Sequence, residues 1–425
     1  MKLLLKKSIT LFSILASLFI FNACEEDYPP SGQTLNEPIV DPIVDPLDDP
    51  TTMDIEGRGN LVSSEILFSK SVSEVEDLLP SISELLPLII DVSNGIDYYK
   101  IVYETIGLDG QLTQASGAVA VPTNFDGVSP ITTYCHGTSI LESNIPSAVN
   151  AESNIGVIFA SEGFVVTMPD YLGFGANPGL HPYHHANSHA SATIDMIRAT
   201  KKLLDQLETA YNDQLFIFGY SQGGHAAMAT VKVIEENYAD ELPITAAAPM
   251  SGAYDLAGVQ ATTFEQDVSY GAPYYLPYIL LAYNEVYKLY PSTSDFLNSP
   301  WDEQLPPLFD GYHSPSEVNA IMPEIPNDII RDDFFEAFLN NPNHIFRQVL
   351  RDNSLLDFTP STPMKIFYCN GDPLVLFQNS ELACETYIAN GATDIECIDN
   401  GALDHGGCVL PSLIGARGWF KTLVE

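Results

Sequence analysis

A serine between glycines near the middle of the chain is the residue best placed to do chemistry. Four apolar residues, 215–218, lead into Gly219-Tyr220-Ser221-Gln222-Gly223, and a helical pattern follows. In this context the pentapeptide G-x-S-x-G predicts a nucleophile elbow, a tight strand-to-helix turn that exposes the serine hydroxyl. Gly219 and Gly223 are expected because the strand and the helix pass too close for a Cβ. An ordinary glycine–serine turn is the alternative, and the strand–turn–helix context argues against it.

Two residues that follow the serine can complete a catalytic chain. An activated serine needs a base within hydrogen-bond reach, and the base needs an acid that fixes its tautomer. Asp372 and His405 each follow an apolar strand pattern, in that order along the chain. Asp404 is a rival acid, but the immediate neighbour of a histidine rarely points at its ring. The N–H of Gln222 lies in the first helical turn, where unpaired donors favour a developing oxyanion.

A second group of reactive side chains is a histidine cluster at His181, His184, His185 and His189. The i, i+4 spacing of His185 and His189 is compatible with a metal site. A zinc pair of the H-E-x-x-H kind would hold a glutamate between its histidines, whereas residues 186–188 are Ala-Asn-Ser. We therefore expect neither a metal nor a cofactor. Asp170 and Tyr171 follow another apolar strand pattern, and we expect them to brace the surrounding loops.

The elements that position these residues are predicted to alternate between strands and helices. Apolar strand patterns occupy residues 131–135, 164–168, 215–218, 244–249, 364–368 and 395–398, and helical patterns occupy 188–207, 222–237, 381–389 and 410–423. This alternation predicts an α/β fold with a mostly parallel sheet covered by helices on both faces. Before it, residues 97–104 and 114–121 predict a hairpin around Asp109-Gly110. Residues 63–90 are expected to be helical, with a capping box at Ser73 and Glu76 and breaks at Pro80 and Pro87.

Residues 257–358 interrupt the alternation and predict a helical cap or lid inserted after a strand. A helix is expected at 332–339. The segment also carries seven tyrosines, Tyr270, Tyr274, Tyr275, Tyr278, Tyr283, Tyr287 and Tyr290. They either line an acyl or aryl pocket or form the core of a small cap, and the sequence leaves both interpretations open.

The N-terminal residues 1–23 have the pattern of a signal peptide, with lysines before an apolar run too short to span a bilayer. The run ends in Asn22-Ala23-Cys24, which is similar to a bacterial lipoprotein cleavage site, so we expect lipidation of Cys24. The acidic residues 25–27 resemble surface-export signals of Bacteroidetes lipoproteins. An exported outer-membrane lipoprotein tethered through Cys24 is the expectation, with ordinary secretion as the alternative.

Residues 24–56 are rich in proline and acidic side chains, which predicts a disordered, extended linker before a domain at 57–425. The formal net charge of −39 opposes binding to nucleic acid or to anionic membrane surfaces. Five cysteines follow Cys24, namely Cys135, Cys369, Cys384, Cys397 and Cys408. Export permits disulfides, and an odd number leaves at least one thiol free unless a partner chain pairs with it. Cys384 and Cys397 can bridge a helix to the next strand, but the pairing stays open.

Five motifs in one order resemble the α/β-hydrolase superfamily and, within it, the secretory lipase and esterase group. They are Cys135-His-Gly-Thr138, Pro169-Asp-Tyr-Leu-Gly-Phe-Gly175, Gly219-Tyr-Ser-Gln-Gly-Gly224, Asp372-Pro-Leu-Val375 and Asp404-His405, and the resemblance covers residues 95–425 apart from the insertion. It implies an α/β-hydrolase fold with Ser221 as nucleophile, His405 as general base and then acid, and Asp372 as its orienting carboxylate. It also implies an oxyanion hole formed by the backbone N–H groups of Gln222 and Thr138.

Together these inferences predict a serine esterase or lipase that cleaves small-molecule or lipid esters through an acyl-enzyme on Ser221. A serine peptidase of the prolyl oligopeptidase type is one alternative. Those enzymes usually carry an N-terminal propeller, and no repeats of blade length precede Asp97. A non-catalytic surface binding protein on a hydrolase scaffold is the other alternative, and the intact serine, aspartate and histidine count against it.

Overall fold

The computed structural model of the chain describes residues 55–425. The predicted signal peptide, the lipidation site Cys24 and nearly all of the predicted linker lie outside the described residues. Within the described part, no helix combines the length and the apolar character needed to cross a lipid bilayer.

Nine strands form one mixed, mostly parallel sheet. They are β1 Leu61–Lys70, β2 Gly95–Ile106, β3 Leu112–Thr123, β4 Ser129–Cys135, β5 Val165–Pro169, β6 Tyr211–Tyr220, β7 Ile244–Met250, β8 Met364–Tyr368 and β9 Ile395–Asp399. The spatial order is β1-β2-β3-β5-β4-β6-β7-β8-β9. The pairs from β1 to β5 are antiparallel, and every pair from β5 to β9 is parallel. The predicted hairpin and the six predicted later strands are confirmed, with small differences at their ends.

Helices cover both faces of this sheet, as the sequence predicts. The α-helices of residues 55–425 are α1 Val72–Ile82, α2 Leu86–Ile89, α3 Ser153–Ser161, α4 Ala186–Gln206, α5 Gln222–Asn237, α6 Thr262–Glu265, α7 Tyr275–Tyr287, α8 Trp301–Gln304, α9 Pro315–Ile321, α10 Asp332–Asn340, α11 Ile345–Asp352, α12 Gln378–Ala389 and α13 His405–Leu423. Side chains of α4, α5 and α12 contribute to one core cluster, and those of α1, α3 and α13 contribute to another.

The central strand β6 shows why the sheet is buried on both faces. Successive side chains of a strand point to opposite faces. Ile217 accordingly belongs to the cluster under α4 and α5, and Phe218 to the cluster under α3 and α13. Both are fully buried. A strand that is apolar on both faces reads as a continuous apolar run, which is the signal seen in the sequence.

The helices α6 to α11 form an insertion between β7 and β8 and supply most of an apolar cluster, which also includes Ile140, Tyr183 and Val375. Tyr278 and Tyr283 are fully buried in this cluster, whereas Tyr275 is only partly buried. Tyr278 and Tyr283 thus belong to the core of the insertion, as one interpretation predicts. Tyr275 lines a cavity, and its role in an acyl or aryl pocket stays a prediction.

The N-terminal part of the described chain corrects the sequence analysis. Residues 63–70, expected to be helical, belong to β1 and pair antiparallel with β2, for example Ser64 with Ile101. The capping box of α1 is formed by Ser71 and Glu74 rather than by Ser73 and Glu76. Pro80 lies inside α1 without ending it. These residues carry no clear strand pattern because β1 is a largely exposed edge strand, and its pairing with a distant strand decides its structure.

Candidate active site

The turn at Ser221 joins β6 directly to α5. β6 ends at Tyr220 and α5 begins at Gln222, so Ser221 makes the whole turn with φ of 61° and ψ of −123°. A non-glycine residue with positive φ is held there by its surroundings. The backbone N–H of Ser221 donates to Met250 O at 2.9 Å, which fixes the turn to the end of β7.

The two glycines around the serine are required by close approach of the backbone. A Cβ on Gly219 would lie 2.2 Å from Gly223 O, and a Cβ on Gly223 would lie 1.9 Å from Cys135 O. Neither backbone atom can move aside as a flexible side chain would. Any side chain at either position would therefore push α5 away from β4 and β6 and displace Ser221.

Ser221, His405 and Asp372 are brought together at the carboxyl ends of the parallel strands. Ser221 Oγ lies 2.9 Å from His405 Nε2. His405 Nδ1 lies 2.5 Å from Asp372 Oδ2. The other carboxylate oxygen of Asp372 accepts the N–H groups of Leu374 and Val375 at 2.9 and 3.0 Å. The carboxylate is thereby fixed in position on one side and faces the imidazole on the other.

The rival acid Asp404 has a different partner. The closing helix was expected to begin at residue 410, but α13 begins at His405, and Asp404 is its N-cap. Asp404 Oδ1 accepts the N–H of Gly407 at 2.7 Å, so the carboxylate is turned into the helix and away from the imidazole. The glycine pair 406–407 and Pro411 weaken the helical signal in the sequence, and the cap explains why the helix starts there all the same.

Gln222 and Thr138, the candidate oxyanion donors, lie in two different turns. Gln222 is the first residue of α5, where backbone N–H groups have no partner within the helix. Thr138 follows β4, and its hydroxyl lies 3.3 Å from Tyr183 Oη. The side chain of Gln222 is fully buried and points behind the turn, where Nε2 lies 2.5 Å from His181 Nε2 and 3.1 Å from His189 Nε2.

The predicted histidine cluster packs behind the serine turn together with His225 of α5. His181 Nδ1 donates to Leu172 O at 2.7 Å, and His225 Nε2 donates to Asn353 O at 2.8 Å. Burial lowers the pKa of His181 to about 3 and that of His225 to about 4. Burial also holds the pKa of His184 and of His189 well below the ordinary value for an imidazole. These side chains are therefore neutral at pH 7.

The described residues include no group of three or more histidine, cysteine or acidic side chains arranged to hold a metal ion. Within the cluster, Nε2 of His181 and of His189 face the amide of Gln222. The ring of His185 instead packs edge-on against Tyr287 of α7. Within this cluster, His181 and His189 are thus neutral imidazoles packed against an amide.

Asp170 and Tyr171 lie beside the site and hold neighbouring loops. The fully buried carboxylate of Asp170 accepts the hydroxyls of Ser116 and Ser147, both at 2.6 Å, and the N–H of Ser147 at 3.0 Å. Tyr171 packs its ring 4.4 Å from that of His136, in the turn that leads to Thr138. Both residues therefore hold loops around the site, and the contacts described for them do not include the serine hydroxyl.

A disulfide that the sequence left open joins the loop that carries Asp372 to helix α13, which carries His405. Cys369 pairs with Cys408, with their Cα atoms 5.9 Å apart. Cys369 precedes Asp372 by three residues, and Cys408 follows His405 by three. This matched spacing is the signal that could have suggested the pair. A second disulfide joins Cys384 of α12 to Cys397 of β9, the pairing that the sequence left open, and Cys135 is a buried free thiol.

An apolar cavity opens above Ser221 beneath the insertion. Its wall contains Ser221, Tyr183, Tyr275, Phe334, Phe338 and Val375 among mainly aliphatic and aromatic side chains. Its empty volume is about 810 Å³, part of which is open to solvent. A cavity of this composition suits an apolar group bound next to the serine hydroxyl.

The chain is similar to known proteins over most of its length. A family model described as secretory lipase matches residues 144–420. No curated protein sequence matches the chain. Among solved structures, a protein of Legionella pneumophila is 28% identical with a TM-score of 0.78, and the alignment covers 85% of this chain and 98% of that one.

Two further structures are similar. The rice cell wall degrading esterase LipA from Xanthomonas oryzae, in a ligand-bound form, is 29% identical with a TM-score of 0.75, and the alignment covers 86% of this chain and 97% of that one. Candida antarctica lipase A in its closed state is 16% identical with a TM-score of 0.63, and the alignment covers 89% of this chain and 86% of that one. The lipase comparison shows a shared fold.

The lowered pKa values of His181, His184, His189 and His225 predict a loss of stability in mild acid. Unfolded histidines bind protons below about pH 6.5, whereas the buried ones stay neutral until far lower pH. The contribution of these neutral histidines to the free energy of unfolding is therefore fully present above about pH 6.5, and it is lost as the pH falls toward 4. Each can lower the free energy of unfolding by up to about 1.4 kcal/mol per pH unit in this window. Urea unfolding at pH 7, 6 and 5 measures the slope.

The variant His225→Gln should reduce this slope, because one buried imidazole no longer titrates on unfolding. The matched control is His313→Gln, since His313 is exposed and its hydrogen bond to Asp310 raises its pKa instead. An equal slope in wild type and His225→Gln would show that the acid sensitivity comes from other groups.

Proposed function

The chain belongs to the secretory lipase family, and on that premise we propose that it hydrolyses carboxylic esters through an acyl-enzyme on Ser221. It is an ester hydrolase of the lipase and esterase class. The observation that carries the proposal is the continuous hydrogen-bonded chain from Ser221 Oγ through both ring nitrogens of His405 to Asp372 Oδ2. This chain has the order and reach that an activated serine requires.

The carboxylate of Asp372 determines what the imidazole does. Asp372 accepts hydrogen bonds, so Nδ1 of His405 carries the hydrogen and Nε2 is left as the acceptor for the hydroxyl of Ser221. As Ser221 Oγ attacks the ester carbonyl, its proton moves to Nε2. The positive charge that forms on the ring is then stabilised by Asp372.

The negative charge of the tetrahedral intermediate falls on the former carbonyl oxygen. The N–H of Gln222 at the start of α5 and the N–H of Thr138 are the proposed donors to this oxygen. The helix dipole of α5 favours the same charge. Each such donor typically contributes about 3–4 kcal/mol to transition-state stabilisation.

The second half of the reaction reverses the roles. His405 Nε2 gives its proton to the alcohol oxygen as the C–O bond breaks, and the acyl group remains on Ser221. A water molecule then transfers a proton to His405 Nε2 and attacks the acyl carbonyl. The bond between Ser221 Oγ and the acyl carbon breaks as His405 returns this proton to Oγ, which releases the acid and restores Ser221. We assign the acyl chain to the apolar cavity beneath the insertion, because Ser221 forms part of its wall.

The alternatives inferred from the sequence find less support. Within residues 55–96, before the hairpin, the chain forms one strand and two short helices rather than the blades of a propeller. This argues against a peptidase of the prolyl oligopeptidase type. A purely binding role does not require the hydrogen-bonded alignment of Ser221, His405 and Asp372, so this alignment favours an enzyme over a binding protein.

The Cys369–Cys408 disulfide is proposed as a positioning element for the same chain of residues. It restrains the separation of the loop that carries Asp372 and the helix that carries His405. Misplacement by about 1 Å can lower a rate by as much as about a hundredfold. Its role is therefore to hold the acid and the base in register.

We also propose that the enzyme is exported and tethered through lipidated Cys24. Membership of a secretory family indicates export, and the two disulfides fit an oxidising compartment. The proline-rich residues 24–56 would then act as a spacer between the membrane and the catalytic domain.

Replacing the nucleophile should abolish the activity. Ser221→Ala removes the atom that forms the acyl-enzyme, so kcat/KM for p-nitrophenyl esters should fall at least about 10⁴-fold. A fluorophosphonate probe should label the wild type and leave Ser221→Ala unlabelled. The control is Ser412→Ala, which removes the hydroxyl of a buried serine on α13. Retained ester hydrolysis in Ser221→Ala, or a folded wild type that resists the probe, would contradict the proposal.

Removing the positioning disulfide should reduce turnover more than binding. We expect the double variant Cys369→Ser/Cys408→Ser to have a kcat about ten- to a hundredfold lower, with a smaller change in KM. The matched control, Cys384→Ser/Cys397→Ser, removes the other disulfide, which carries neither Asp372 nor His405. Rates should be compared at a temperature where all three proteins are folded. Equal kcat values in the two double variants would refute a specific positioning role.

Lipidation can be tested by metabolic labelling with a clickable palmitate analogue in a bacterial host that processes lipoproteins. The full-length protein should incorporate the label and sediment with membranes, whereas Cys24→Ala should do neither. Unlabelled wild type released into the soluble fraction would assign the chain to ordinary secretion.

A further inference from the structure

A second apolar groove, separate from the cavity beneath the insertion, runs along α13. We call it the α13 groove. One wall is a stripe of α13 formed by Val409, Leu410, Leu413 and Ile414, all of them only partly buried. These positions follow the spacing of one helical face. The groove has an empty volume of about 1090 Å³, part of it open to solvent.

The other sides of the α13 groove belong to different elements. Ile155 and Ile158 of α3 form the facing wall. Leu86 and Ile90, from α2 and its C-terminal end, border it and pack against Leu410 and Ile414. Three separate segments thus line the groove mainly with aliphatic side chains, which suits an alkyl chain. Glu152 and Asn154 also line it, and the carboxylate of Glu152 already accepts the hydroxyl of Tyr134 at 2.6 Å.

The mouth of the α13 groove lies at the active site. Gly137, Tyr220 and Gly406 line it, and they are the chain neighbours of Thr138, Ser221 and His405 respectively. Tyr220 Oη donates to His405 O at 2.6 Å, and its ring centroid lies 5.1 Å from that of His405. One end of the α13 groove is therefore separated from His405 by the ring of Tyr220, so it lies next to the residues around the scissile bond.

Arg417 lines the α13 groove at the end of the helical stripe farthest from His405. Its guanidinium is paired with Glu162 and also donates to Ile89 O at 3.1 Å. A cation already paired in this way does not call for a carboxylate on the bound molecule, so the groove suits a neutral chain. The helical stretch from Gly406 to Arg417 gives it a length of about 16 Å.

We infer that the α13 groove binds the alkyl chain of the leaving alcohol. His405 must protonate the alcohol oxygen, so the leaving group has to lie on the side of the site where α13 begins. The acyl chain then occupies the cavity beneath the insertion. The substrates are accordingly esters with an apolar chain on each side of the scissile bond. This inference rests on the proposed function and adds the alcohol specificity to it.

Two ester series on the full-length protein test the assignment. The first keeps a butyryl group and lengthens the alcohol from methanol to octanol, and the second keeps p-nitrophenol and lengthens the acyl chain. All esters are used below the concentration at which they form micelles. Since burial of one methylene is worth up to about fourfold in an equilibrium, kcat/KM should rise by roughly two- to fourfold per methylene of the alcohol.

Variants that fill the α13 groove should remove this dependence selectively. Leu413→Trp should lower the ratio of kcat/KM for octyl butyrate to that for methyl butyrate by about tenfold or more. It should leave the slope of the acyl series unchanged. Ile155→Trp, from the facing wall, provides a second measurement if Leu413→Trp fails to fold. Leu207→Trp is the control, because Leu207 is an exposed leucine at the end of α4, outside both cavities.

The outcomes separate this inference from the proposed function. Rates that do not rise with alcohol length, in a protein that hydrolyses p-nitrophenyl esters through Ser221, would overturn the groove assignment and leave the esterase intact. The groove assignment also fails if Leu413→Trp and Ile155→Trp lower both series equally, or if Leu207→Trp has the same effect. Loss of all ester hydrolysis in the wild type would reject the proposed function, and the groove assignment with it.

Discussion

The close backbone approach of α5 to the ends of β4 and β6 is the constraint on which the rest of the site depends. Gly223 lies so near Cys135 that no side chain fits between them, and the same is true of Gly219 and Gly223. The chain can therefore turn within one residue, and Ser221 takes up the positive φ that this turn imposes. The other candidate catalytic residues, Thr138, Asp372 and His405, follow the carboxyl ends of the parallel strands β4, β8 and β9. The turn at Ser221 lies at the same edge of the sheet. The parallel sheet thus brings distant parts of the chain to one edge, and the glycines set the position of the serine there.

A turn this tight leaves the polar side chain of Gln222 buried behind it, and neutral imidazoles face the nitrogen of its amide. The amide of Gln222 has His181 and His189 as its neighbours, and an imidazole can accept a hydrogen bond only while it is uncharged. Burial lowers the pKa of both rings and so keeps them in the accepting form. Gln222, the proposed oxyanion donor, is in this way anchored by its own side chain. The histidine cluster thereby supports the turn without contacting the serine hydroxyl.

The sequence predicted the parallel part of the fold well, because each strand there is a continuous apolar run. Such a run can be recognised from neighbouring residues alone, without knowledge of the strand it pairs with. It also identified Ser221, Asp372 and His405 as residues that would meet, since their order and their places after strands follow from the fold class.

The strand β1 was missed because an exposed edge strand has a polar composition, and its structure depends on pairing with β2. The start of α13 was missed because two glycines and Pro411 weaken the helical pattern, while the cap that begins the helix is a single carboxylate. The pairing of Cys369 with Cys408 was not predicted because it depends on the distance between the segment after β8 and helix α13, which the sequence does not give.

The geometry around His405 results from several restraints, each of which removes a different freedom. Asp404, a poor candidate for the catalytic acid, caps α13 and so decides where the helix starts and how its first residue is directed. Tyr220 holds the backbone carbonyl of His405, and Asp372 holds its ring. The disulfide limits the distance between the helix and the loop of Asp372. Since the helix direction, the backbone, the ring and the loop separation are each restrained by a different group, the imidazole can meet a serine 184 residues away in sequence at hydrogen-bond distance.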